Sequence, residues 1–89
     1  MGYTFKAVHH GTVYVDFVCK DKTVTKSARL VEYDTNYTLS LPASRIAEFI
    51  GRDKLRVRFN GRVYDNAVIE IHGTPECGSA AVIVDKFGR

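Results

Sequence analysis

Apolar and polar residues alternate with a period of two through most of this 89-residue chain. The alternation is clearest in the stretches 12–19, 37–41 and 54–59. Successive side chains of an extended strand point to opposite faces, so the pattern predicts strands that bury one face.

Short polar or glycine-containing clusters separate these stretches and predict antiparallel hairpins. Asn60-Gly61 is the strongest turn signal, because a two-residue type I′ turn requires positive φ at both positions. His10-Gly11 is interpreted in the same way, as the turn of a first hairpin. The polar residues 20–22 and 34–36 predict two further turns.

The period of the pattern changes in one segment. Three apolar residues there recur at helical spacing, namely Ile46, Phe49 and Ile50. Pro42 suits the first turn of a helix, and Gly51 is a typical C-terminal stop. The sequence therefore predicts one short helix at about 43–50, which must pack on a sheet because two turns are unstable alone.

Together the patterns predict a mainly β fold, a small single-domain β-barrel of residues 1–89 with seven or eight short strands and one helix. Closure removes exposed strand edges, which favours a barrel for so many strands in so short a chain. The run 79–84 is small and apolar, and we expect a strand buried on both faces. The predicted core consists of Val13, Val15, Phe17, Leu39, Leu41, Ile46, Phe49, Leu55, Val57, Ile69, Ile71, Val82 and Val84.

The composition is that of a globular protein, with 45% apolar and 26% charged residues. No apolar run approaches the roughly 20 residues that span a bilayer, so we expect no membrane partner. No signal-peptide pattern opens the chain, and two cysteines are too few for a disulfide scaffold. We therefore expect a cytoplasmic protein.

Positive charge is concentrated in the middle of the chain. The formal net charge is +3, whereas residues 42–64 hold six basic and two acidic residues, or +4. Arginine presents a planar fork that suits phosphate and carboxylate, so this segment predicts a site for an anionic partner. A solvated strand face with ordinary ion pairs is the alternative. The candidate residues are Arg45, Arg52, Lys54, Arg56, Arg58 and Arg62.

The Asn60-Gly61 turn divides these candidates between two faces. A two-residue turn pairs Phe59 with Arg62, which places Arg62 on the face opposite to Arg58. The same register sets Arg56 opposite Asp65, where we expect a cross-strand ion pair.

The sequence predicts neither catalysis nor a metal or cofactor site. His9 and His10 are adjacent, so they point to opposite faces of a strand and cannot bind one ion without a bulge. Cys77 and His72 are the one nucleophile and base that lie close in sequence, and no third group orients them. We expect a protein that is not an enzyme.

Tyr14 and Tyr33 fall on the polar faces of their strands. Exposed aromatic rings among basic residues can stack on the bases of single-stranded nucleic acid. They can also cover a strand edge or a dimer surface, which the sequence favours. Apolar strands at both ends of the chain likewise predict that an edge pairs with a second copy, giving a two-fold homodimer.

The segment 38–59 contains a strand that ends in Leu41-Pro42, a helix that ends at Gly51, and the strand 54–59. This order resembles the AbrB and MazE type of swapped-hairpin proteins, and a group of uncharacterised small β-barrels. The resemblance implies an intertwined β-barrel dimer that binds DNA, with Arg45, Arg52 and Lys54 as the matching residues. The chain departs from that family in a shorter link after Gly51 and in its long N-terminal meander.

Two function classes remain open. The first is a small non-catalytic binding protein that engages nucleic acid or an acidic protein surface through residues 45–62. The second is a protein-interaction module or inhibitor, of the kind found in phages and mobile elements, that docks on a larger complex. Salt dependence separates them, because binding to nucleic acid releases counterions and falls steeply with salt.

Overall fold

The structure, a computed structural model, describes residues 6–20, 22–51 and 55–87. Within these residues it contains seven strands and one 3₁₀ helix. In chain order the elements are β1 (Val8–Cys19), β2 (Lys22–Glu32), β3 (Asn36–Pro42), the helix (Ala43–Phe49), β4 (Arg56–Phe59), β5 (Arg62–Tyr64), β6 (Val68–His72) and β7 (Ser79–Asp85).

The strands form one antiparallel sheet in the order β5-β4-β1-β2-β3-β7-β6. Its two edge strands, β5 and β6, are joined by residues 65–67 alone. Three residues and their flanking bonds reach about 14 Å at most, so the two edges must approach each other. The sheet accordingly curls into a half-barrel, which confirms the predicted mainly β, barrel-like fold with one short helix.

The core lies on the concave side of the curled sheet. Most of the predicted core is buried there, namely Val15, Phe17, Leu39, Leu41, Ile46, Phe49, Leu55, Val57, Val82 and Val84. The other three predicted residues are partly buried against it, namely Val13, Ile69 and Ile71. Across the interior, the Tyr37 ring of β3 meets the Phe59 ring of β4 edge-on at 5.5 Å, and Phe59 stacks on Tyr64 at 5.0 Å.

The predicted helix is confirmed as Ala43–Phe49, and its geometry is 3₁₀ with a kink at Ile46. Gly51 follows it with φ +77°, the left-handed conformation expected of a C-terminal stop. The ring of Phe49 stacks on Phe17 of β1 with centroids 5.6 Å apart. This packing supplies the stability that so short a helix lacks alone.

The predicted first hairpin at His10-Gly11 is wrong. β1 continues through these residues and pairs with β2 along its whole length, with a bulge between His9 and Gly11. Gly11 has φ +81°, which a bulge accommodates as readily as a turn. Because β2 is eleven residues long, both halves of β1 gain a partner without a reversal of the chain.

The prediction for residues 79–84 is also corrected. Burial alternates along β7, with Ala80, Val82 and Val84 buried and the residues between them more exposed. One face of this strand therefore meets the core and the other lies on the convex side. By contrast, the turn at Asn60-Gly61 is confirmed, with φ of 53° and 76°. Within the described residues, no helix is long and apolar enough to cross a bilayer.

We expect Phe49→Ala to lower the free energy of unfolding by about 3–5 kcal/mol, because it leaves a cavity against Phe17. Urea denaturation followed by circular dichroism measures this change. The control is Ile50→Ala, at a neighbouring exposed position, which should cost under about 1 kcal/mol. Equal effects of the two substitutions would contradict the role given to Phe49.

Candidate functional site

The convex side of β1, β2 and β4 carries a cluster of polar residues, which includes three of the predicted basic site residues. In β1, Val15 and Phe17 are buried, so Tyr14 and Asp16 point outward. Residues paired directly across two strands point to the same face of the sheet. The partners of the outward residues of β1 on β2 and β4 therefore point outward as well. We call this set, with the adjoining arginine of the helix, the Tyr14 face. It comprises Thr12, Tyr14, Asp16, Val18, Thr23, Thr25, Ser27, Arg29, Arg45, Arg56 and Arg58.

Asp16 links three strands of this face. The Thr25 hydroxyl donates to Asp16 Oδ1 at 2.6 Å, while Arg58 donates to Oδ2 through Nε at 3.0 Å and Nη2 at 2.7 Å. The hydrogen bond from Thr25, followed by that from Arg58, lowers the pKa of the Asp16 carboxyl below its ordinary value. The single carboxylate of the face is thus already bound to an arginine.

Tyr14 lies beside this network with 77% of its surface exposed. Its cross-strand partner is Ser27 of β2. Arg45 Nη1 donates to the Ser27 hydroxyl at 3.2 Å. The helix thus places a guanidinium group next to the cross-strand pair of Tyr14 and Ser27. The ion pair between Lys22 and Glu48 holds the other end of the helix against the start of β2.

A shallow depression of about 360 Å³ lies on this face, and its lining includes Ser27, the cross-strand partner of Tyr14. Arg29 and Arg45 line it together with four hydroxyl-bearing residues, namely Thr12, Ser27, Ser40 and Ser79. Guanidinium and hydroxyl groups can all donate hydrogen bonds, so the depression has the chemistry to hold a phosphate or carboxylate group.

The charge of the Tyr14 face is strongly positive. It holds four arginines, all exposed, and one aspartate. Because the aspartate is paired with Arg58, the field of Arg29, Arg45 and Arg56 is not offset by a carboxylate of the same face.

The structure brings together only part of the predicted basic site. Arg45, Arg56 and Arg58 lie on the Tyr14 face. Arg62 pairs with buried Phe59 and so lies on the opposite side of the sheet, as the turn predicted. Two further candidates, Arg52 and Lys54, lie outside the described residues.

The predicted ion pair between Arg56 and Asp65 is wrong. The pairing of β4 with β5 ends at Val57 and Tyr64, so Arg56 and Asp65, the next residues along each strand, do not pair. Among the described residues, the ion pair of β4 is instead the one from Arg58 to Asp16 of β1. β4 has a neighbour on each side, and the carboxylate that binds one of its arginines comes from the β1 side.

Arg29 is a site residue that the sequence analysis missed. It lies in the first 41 residues, which hold five basic and four acidic residues and so have a formal charge of only +1. Its alternation with buried Ala28 and Leu30 marks it as outward-facing, but only the register places it beside Thr12 and Ser40.

A second polar cluster lies at the other end of the sheet. The Glu32 carboxylate accepts a hydrogen bond from Lys86 at 2.6 Å and lies 2.9 Å from His10 Nε2. Lys86, and to a smaller extent His10, lower the pKa of the Glu32 carboxyl, and Glu32 raises the pKa of Lys86. The ammonium of Lys86 also lies 5.2 Å from the ring centre of Tyr37.

The pair of Cys77 and His72 has no contact that would activate a nucleophile among the described residues. The backbone N–H of Cys77 donates to the Thr74 hydroxyl at 3.1 Å, and the His72 ring lies 3.9 Å from Glu70.

Comparison with known proteins gives no relative. No family model, curated protein or solved structure matches this chain. The resemblance of residues 38–59 to the AbrB and MazE type therefore stays a prediction, and the geometry of the site carries the functional argument.

We expect Thr25→Val to raise the pKa of Asp16, since it removes the hydrogen bond that lowers that pKa most. Arg58→Gln should raise it as well. Because the folded-state pKa is lowered, ionised Asp16 favours the folded protein above the ordinary carboxyl pKa, and this contribution is lost as the pH falls through the lowered pKa. Carboxyl-detected NMR titration measures the shift; Ser27→Ala, which leaves both contacts of Asp16 in place, is the control.

Proposed function

We propose that this chain is a small non-catalytic binding protein whose Tyr14 face binds single-stranded nucleic acid. The observation that carries the proposal is the ring of Tyr14, 77% exposed on a sheet face that holds four arginines and one aspartate. An exposed aromatic ring among arginines provides both elements of single-strand recognition, a surface for stacking and a positive field for the backbone.

Each group of the Tyr14 face has a role in this proposal. The Tyr14 ring stacks on a base, which requires an unpaired strand because bases in a duplex are stacked on each other. Arg29 and Arg45 bind phosphate oxygens at the depression, and the neighbouring serine hydroxyls add hydrogen bonds to phosphate or sugar. None of these contacts reads a base edge, so we expect little dependence on sequence.

The same arginines would also attract an acidic protein surface, the alternative partner. The arginine charges would raise the rate of association with such a partner, and stacking by the Tyr14 ring would not contribute to its binding. The contribution of Tyr14 therefore separates the two. We further propose a cytoplasmic location, where nucleic acid is accessible, and a two-fold homodimer, for which an interface is given below.

We expect Tyr14→Ala to weaken binding of a fluorescein-labelled oligothymidine of about 12 nucleotides by roughly 5- to 150-fold, the loss of one stacked base. Fluorescence anisotropy measures the affinity, and an oligouridine of equal length tests RNA in parallel. Tyr33→Ala is the matched control, because Tyr33 lies in the loop between β2 and β3 and away from the arginines. An affinity unchanged by Tyr14→Ala would contradict the proposal.

We expect Arg45→Gln to lower the slope of log affinity against log salt concentration by about 0.7, the value for one phosphate contact on a single strand. Arg29→Gln should do the same. Arg62→Gln removes an equal charge from the opposite side of the sheet and should change the slope much less. Binding that is independent of salt, or that responds equally to all three substitutions, would exclude a phosphate site at the depression.

A titration with polyglutamate tests the alternative directly. Binding of polyglutamate that needs Arg29 and Arg45, with no binding of either oligonucleotide, would replace the nucleic-acid proposal by an acidic protein partner.

A further inference from the structure

β6 forms one edge of the sheet in the part of the chain that the structure describes. It pairs with β7 along Val68–His72, and its other edge faces no strand of the described residues. Every residue of β6 is exposed or partly exposed. The free N–H and C=O groups of such an edge readily pair with another strand. The opposite edge strand, β5, has only three residues and offers far fewer of these groups.

The order of side chains along β6 makes the strand complementary to itself. Glu70 and His72 point to the convex side, with side chains 55% and 68% exposed and 3.9 Å apart. In a two-fold antiparallel pairing centred on Ile71, Glu70 lies opposite His72 of the partner subunit, and the same pair recurs across the axis. Ile71 meets its own copy on the concave side, where it is only partly buried in one chain.

The neighbouring registers lack this complementarity. Centring the pairing on Glu70 sets two carboxylates directly opposite each other, which destabilises a sheet. Centring it on Ile69 sets Glu70 opposite Val68 of the partner subunit and leaves the charge without an opposite-charge neighbour. The register centred on Ile71 is thus the one of the three that sets the Glu70 carboxylate opposite a hydrogen-bond donor, the ring N–H of His72 of the partner subunit.

We propose that β6 binds β6 of a second copy in this register, which joins two half-barrels into one continuous antiparallel sheet. In this register three residues of β6 from each chain pair with each other, Glu70–His72. The contact is small, so we expect a dissociation constant on the order of 100 μM. The proposal rests on the sheet edge and is independent of nucleic-acid binding by the Tyr14 face.

A charge exchange across the interface tests both the dimer and its register. Glu70→Lys removes both cross-axis attractions, and His72→Glu places carboxylates opposite each other at both pairs. Each single substitution should weaken dimerisation by about tenfold or more. The double variant E70K/H72E sets a lysine opposite a glutamate at both pairs and so restores an attraction across the axis. It should dimerise within about threefold of the natural protein or more tightly.

Sedimentation velocity over a range of protein concentrations measures the dimerisation constant. Glu76→Lys is the control, because it makes the same charge change in the loop before β7 and should leave dimerisation unaltered. Thermal unfolding of each variant verifies that these exposed positions do not disturb the fold.

Amide hydrogen exchange of the natural protein gives a second readout that needs no variant. Protection of the β6 amides should rise with protein concentration, while that of the β5 amides should not. A monomer at about ten times the expected dissociation constant would overturn the dimer. Single substitutions without effect, or a double variant no better than either of them, would overturn the register.

Discussion

The three residues 65–67 join the two edge strands of the sheet, and the rest of the architecture depends on this short connection. Five strands lie between β5 and β6 in the sheet order. A flat sheet of that width could not be spanned by three residues, so the sheet has to curl. The curl brings Tyr37 of β3 against Phe59 and Tyr64 of β4 and β5, and this aromatic cluster closes one side of the core.

Curling also separates the two faces of the sheet. The concave side holds the buried apolar residues, whereas the convex side carries polar groups, Tyr14 and less buried valines such as Val18 and Val63. Strand pairing then brings Asp16, Thr25 and Arg58 into one row, although 42 positions separate Asp16 from Arg58. The helix adds Arg45 from outside the sheet. The Tyr14 face is therefore assembled from four segments that are distant in sequence.

Two carboxylates, those of Asp16 and Glu32, link neighbouring segments of the fold at opposite ends of the sheet. Asp16 joins β1, β2 and β4 on the convex side, and Glu32 joins the β1 bulge at His10 to Lys86 beyond β7. Hydrogen bonds and opposite charges lower the pKa of both carboxyls. Protonation in acid therefore removes a cross-strand link at each end of the sheet, and stability should decrease as the pH falls through these pKa values.

Local patterns in the sequence determined which residues form strands, where the one helix lies, and which side chains face inward. The reason is that alternation and turn chemistry act over a few residues, as at Asn60-Gly61 and along Leu55–Phe59. Only the tertiary structure decided which strands are neighbours and in what register, because these depend on contacts between distant segments. That is why the bulge at Gly11 was mistaken for a turn, why Arg58 binds Asp16, and why Arg29 joined the site unpredicted.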